Sequence, residues 1–115
     1  GMIPGLYDKT EFDSEFNDSD RLVGTFDALA YDASHEGSTR AKDYEFPQRI
    51  STALPFMRDW VDHAAFYITG QNKKSALDHA LAIDAHKSYD DVDFSSEPIS
   101  IIRFMKDATI FTDIV

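Results

Sequence analysis

The stretch 56–70, FMRDWVDHAAFYITG, sets Met57, Trp60, Val61, Ala64 and Ile68 at helical spacing and ends on Gly70, the residue type that most readily closes a helix. It predicts a long helix. Just ahead, Pro55 lacks an amide donor and disfavours helix at Leu54, so the apolar face begun by Ile50 and Leu54 must kink or restart there. Beyond Gly70, Asn72 can cap a further helix. Its stripe of Ala76, Leu77, Ala80, Leu81 and Ile83 continues to about Lys87, and the basic end at His86 and Lys87 complements the helix dipole.

The same periodicity recurs further out. Leu22, Val23, Phe26, Leu29 and Ala30 follow Asp18 or Ser19 as N-cap and predict a helix ending near 34–37. Pro98 opens a last predicted helix with Ile101, Ile102, Met105, Ala108 and Phe111 on its buried side. Phe12 and Phe16, four apart, share one side of a short helix over about 10–16 that needs tertiary support. The segments 34–46 (SHEGSTRAKDYEF) and 88–96 (SYDDVDFSS) read as loops, with short extended candidates at 44–46 and 92–94. The expected fold is all-α: a small four-helix bundle, five-helix if the leading segment is counted, in a single domain over 1–115 with an acidic leading segment at 1–17.

At 115 residues and 43% hydrophobic, the chain suits one core. It has no cysteine, which excludes disulfides, thiolate metal sites and thiol catalysis and fits a cytoplasmic protein. No apolar run approaches the ~20 residues of a membrane span, and the start shows no signal pattern, so a soluble protein without a membrane partner is expected. The net charge of −10 is unevenly placed: Asp8, Glu11, Asp13, Glu15, Asp18, Asp20, Asp27, Asp32 and Glu36 face only Lys9 and Arg21. An acidic segment punctuated by Leu6, Tyr7, Phe12 and Phe16 suits a basic-rimmed apolar groove on a partner, which makes Phe12 and Phe16 the candidate partner-binding residues.

Other patterns point to other chemistry. Gln71, Asn72, Lys73 and Lys74 form a locally basic cluster at the start of one predicted helix that follows another through Gly70. The element 56–87 is therefore similar to a helix-turn-helix, with these four residues as nucleic-acid contacts. Arg58 precedes His63 by five positions, with the polar Asp59 directly after the arginine. This spacing, over six residues, resembles the short signature of HEPN-type helical ribonucleases. The resemblance implies a helical dimer whose Arg and His pairs meet and cleave RNA, with His63 as general acid or base and Arg58 stabilising phosphorane charge.

Metal sites are not expected. His79 and His86, seven apart on one helix, stand about 10.5 Å apart along its axis, too far to share an ion. Asp91, Asp93 and Ser95 mimic the opening of a calcium loop, but Ser96 replaces its turn glycine and Ile102 its bidentate glutamate. No cofactor-binding motif and no nucleophile elbow occurs. The sequence predicts a small acidic helical protein acting by macromolecular interaction, adaptor-like or regulatory, through a protein partner or self-association, the latter favoured by the apolar Ile114 and Val115. Nucleic-acid binding is the alternative, and HEPN-like RNA cleavage the second.

Overall fold

The computed structural model describes residues 8–27 and 48–115. Asp8 caps the first helix, α1 (Lys9–Phe16), its carboxylate accepting the backbone N–H groups of Thr10 and Glu11 at 3.0 and 3.2 Å. Phe12 and Phe16 lie on its inner side and are 0% exposed. A turn held by Asp18, whose side chain accepts the Asp20 N–H at 2.9 Å, leads the chain toward β1 (Val23–Asp27). β1 pairs antiparallel with β2 (Gln48–Thr52), Val23 opposite Thr52 and Asp27 opposite Gln48. Gly24 and Phe26 alternate inward, and α1 lies directly over Gly24.

Pro55 sits in the first turn of α2 (Leu54–Trp60), where a missing amide hydrogen loses no helical bond. The helix ends at Trp60 because Val61 is extended, at φ −89° and ψ 115°. β3 (Ala64–Ile68) follows. A 3₁₀ turn, Gln71–Lys73, enters α3 (Lys74–Leu81), and two further 3₁₀ segments, Tyr89–Asp91 and Pro98–Phe104, precede β4 (Ala108–Thr112). β4 returns parallel to β3, with Ala64 beside Ala108 and Ile68 beside Thr112.

The core gathers Phe12, Phe16, Phe26, Leu54, Phe94 and Ile101, flanked by Met57, Tyr89, Val92, Phe104 and Met105. Its aromatic rings meet edge-on or tilted, as between Phe16 and Phe26 (6.1 Å) and between Tyr89 and Phe94 (4.7 Å). Full burial of a phenylalanine contributes about 1.5–3 kcal/mol, so the two rings of α1 alone anchor that helix.

This mixed α/β architecture corrects the all-α helical bundle. Over 64–68 the residues alternate half-buried and exposed, a period of two, and Phe66, Tyr67 and Ile68 are strand formers that lose rotamer freedom in a helix. Val23–Asp27 is likewise a strand where a helix was expected, its Gly24 and Thr25 being weak helix formers. Gln48–Thr52 is a strand as well. After Pro98 the isoleucines at 99, 101 and 102 form a tight 3₁₀ segment ending at Phe104, and the expected helical tail to Phe111 becomes β4. The helix after Gly70 is α3, ending at Leu81 instead of continuing to Lys87. Leu6, Tyr7, Leu29, Ala30 and the segments 34–37, 34–46 and 44–46 lie outside the described residues.

A methyl group built on Gly24 would stand 2.3 Å from the Glu15 carbonyl oxygen and 2.6 Å from the Phe16 ring. Gly24→Ala is therefore expected to destabilise the protein by about 1–3 kcal/mol, as overpacking does. Thermal unfolding should show this as a midpoint lowered by several degrees beside a Ser14→Ala control, and an unchanged midpoint would mean that α1 does not rest on β1.

Candidate functional site

Parallel sheets normally lie between two covering layers, because their crossovers bring helices over the faces. In β3 and β4, Ala64, Phe66, Ile68, Ala108 and Ile110 are half-buried, while Ala65, Tyr67, Thr109 and Phe111 are exposed. The register sets Tyr67 beside Phe111, and the two rings stack at 5.0 Å with 15° between their planes. Tyr67 is 77% exposed and Phe111 49%. At the end of α2, Trp60 is 73% exposed. Neither strand contains a charged residue, although the chain carries −10.

Charge is confined to the strand ends. His63 Nδ1 and Asp107 Oδ2 are 2.7 Å apart just before the two strands, and Lys106 donates to Asp62 at 3.2 Å. At the other end the Gly70 N–H donates to Asp113 at 2.9 Å, with Gly70 at φ 92°. The hydrogen bond to Asp107, reinforced by its charge and that of Asp62, raises the His63 pKa above the usual imidazole range. These polar links close both ends of a sheet whose middle is apolar.

Phe12 and Phe16, the expected partner-binding residues, are wholly buried in the protein's own core, so no partner reaches them in this fold. What α1 offers outward is polar, an open groove lined by Thr10, Glu11, Ser14, Glu15 and Thr25, in which Glu15 already accepts from Arg21 at 3.0 Å. The acids of the leading segment are thus carried on the outside of a structural helix.

Arg58 and His63 are held by different partners on different elements. The Arg58 guanidinium donates twice to Asp59, at 2.7 Å each, and lies 4.3 Å over the ring of Tyr89. Tyr89 in turn donates its hydroxyl to Asn17, next to the end of α1, and burial pushes its pKa up to about 12. His63 lies beyond the end of α2 with Asp107. Gln71, Asn72 and Lys74 are exposed and Lys73 half-buried, and Lys74 donates to Asp78 at 2.8 Å. A strand precedes Gly70, so 56–87 does not form the expected helix-turn-helix-like element. Its cause is the extended Val61 and the strand-forming run behind it.

Among the described residues no cluster of three or more His, Asp or Glu is placed to hold a metal ion. His79 is engaged by Glu97 at 2.9 Å. Also among the described residues, no helix is long and apolar enough to cross a membrane. Tyr67 had no role in the sequence reading, and Phe111, expected on the buried side of a helix, is an exposed strand residue. The local signal for them was the two-residue alternation in AAFYI and ATIFT, whereas nothing local announces that these stretches pair. The chain matches no protein-family model, no curated protein and no solved structure.

The His63 contact has a measurable pH signature. A histidine whose folded pKa exceeds its unfolded value, ordinarily about 6.5, contributes stability below that value and loses it as pH rises through the folded pKa. In an NMR titration His63 should deprotonate above the ordinary range, and Asp107→Asn should bring it back. A wild-type His63 titrating at or below the usual value would show that the contact does not persist in solution.

Proposed function

We propose that the protein acts by macromolecular contact, in an adaptor-like or regulatory role, and that the exposed side of the β3–β4 sheet is its contact surface. The observation that carries this reading is the stacked Tyr67–Phe111 pair on uncharged parallel strands. Large exposed aromatics are the kind of group that dominates binding energy when a partner covers them, and tyrosine is enriched at such centres. The surrounding carboxylates, part of a net charge of −10, disfavour nucleic acid as the partner of this surface. A soluble cytoplasmic setting accords with the absence of cysteine.

The test uses the full chain immobilised as bait in extract of the cells that express it. Three baits are compared: wild type, Tyr67→Ser with Phe111→Ser, and Lys73→Ala with Lys74→Ala. The expected result is that the aromatic variant loses the retained polypeptides while the lysine variant keeps them, both with unchanged circular dichroism. Retention of nucleic acid that disappears only in the lysine variant would replace this reading with the nucleic-acid one. Retention indifferent to Tyr67 and Phe111 would remove the sheet from consideration.

A further inference from the structure

Building on the contact-surface reading above, we infer that a second copy of this chain occupies the open edge of β3, pairing antiparallel with it about a two-fold axis at Phe66 to make a four-stranded sheet. The first argument is the incompleteness of the sheet. Among the described residues it has only two strands, whereas three or more, or a covering layer, are ordinarily needed for a sheet to stand. Among the described residues no further strand pairs with either outer edge, and each presents a row of backbone groups. The strands also carry none of the lysines or prolines by which proteins blunt an exposed edge.

The backbone bonding decides which groups face outward. Ala64 donates its N–H to the Asp107 carbonyl at 3.0 Å, so with the parallel register Ala64, Phe66 and Ile68 bond toward β4. By alternation, Ala65 and Tyr67 direct their N–H and C=O groups to the open edge. Two copies related by a two-fold at Phe66 set Ala65 opposite the second copy's Tyr67, and Tyr67 opposite its Ala65, as hydrogen-bonded pairs. Phe66 then faces its own counterpart, an aromatic cross-strand pair. The small Ala65 leaves room for the tyrosine ring, and the exposed aromatics of both copies join into one ribbon.

Charge selects this edge over the other. On β4 the outward residues are Ala108, Ile110 and Thr112, and the self-pairing that overlaps the whole strand, centred on Ile110, sets Asp107 opposite Asp113 of the second copy, twice. Like charges directly opposite one another are destabilising. On β3 the corresponding register opposes no two like charges over 63–69: His63 meets Thr69, and the strands themselves are uncharged. Just beyond, Asp62 falls opposite the uncharged Gly70, with Lys106 3.2 Å away. Of the two edges of this sheet, the β3 edge is therefore the one that brings no like charges directly opposite one another. Pairing β3 with β4 of another copy would be heterologous and would leave edges free for further additions, whereas the two-fold closes at two.

The test combines sedimentation with register-specific cross-linking, using the full chain, which has no cysteine of its own. Wild type should show a weight-average mass that rises with concentration from 13.0 kDa toward twice that value. A hydrogen-bonded antiparallel pair has Cα atoms about 5.5 Å apart, within disulfide reach. An equimolar mixture of Ala65→Cys and Tyr67→Cys proteins should therefore give the mixed disulfide on oxidation, well above what either gives alone. Ala65→Pro removes a donor aimed at the open edge and none that bonds β4, so it should abolish the dimer while sparing the β3–β4 pairing. Ala65→Lys, which keeps the backbone unrestricted, should do the same.

Cross-linking no greater in the mixture than in single variants, or a dimer that survives both Ala65 substitutions, overturns the assignment. A wild type that stays monomeric to its solubility limit, yet retains another polypeptide through Tyr67 and Phe111, overturns self-pairing and leaves the contact surface standing. A monomer with no such retention overturns both.

Discussion

The missing side chain at Gly24 is what allows this fold to close. α1 approaches β1 so nearly that even a methyl group would collide with its backbone and with the Phe16 ring. That approach lets Phe12 and Phe16 reach Phe26, Phe94 and Ile101 and complete the core. The same docking places Asn17 to accept from Tyr89, which is itself covered by Arg58, so α2 and the loop at Tyr89–Asp91 are tied to the end of α1. Weakening the Gly24 contact would therefore loosen several elements together. With its aromatic side fully occupied, α1 keeps Glu11, Asp13 and Glu15 outside the core, Asp13 and Glu15 paired with Lys9 and Arg21.

The sequence was legible where an element is decided locally. The short helix that carries Phe12 and Phe16 and the helix start at Pro55 can each be read from neighbours within a turn or two. It misled where two periods coexist. In 56–70, Met57 and Trp60 fit a helix, and Ala64 and Ile68 continue the spacing by coincidence, yet a strand uses Ala64, Phe66 and Ile68 on one side and Ala65 and Tyr67 on the other. The β-branched and aromatic content of 66–69 favours the strand, and the extended Val61 marks the change. The candidate surface was hidden for a related reason: Tyr67 and Phe111 become neighbours only through a pairing between distant parts of the chain.

The residues first suspected of chemistry have structural occupations in this fold. Arg58 covers Tyr89, His63 closes one end of the β3–β4 sheet with Asp107, and Lys74 braces its own helix through Asp78. The polar contacts thus collect at element ends and in the Arg58–Tyr89–Asn17 chain, and one side of β3 and β4, with Tyr67 and Phe111, is left exposed. Polar interactions at this exposure contribute little net stability but fix register and orientation well. Their placement keeps the two strands aligned without covering them.

The parallel pairing also imposes an order in time. His63 and Asp107 at the mouths of the two strands are 44 residues apart in sequence, so β3 is synthesised well before the strand that completes it. At the ~5–20 residues per second of ribosomal synthesis, that interval is roughly 2–9 s. Throughout it Phe66, Tyr67 and Ile68 have no β4 beside them, and closing so long a loop is an entropically expensive, late step in folding. During those seconds the strand is open to adventitious pairing, and the nascent chain's exposure to aggregation is set by the separation of these two short segments.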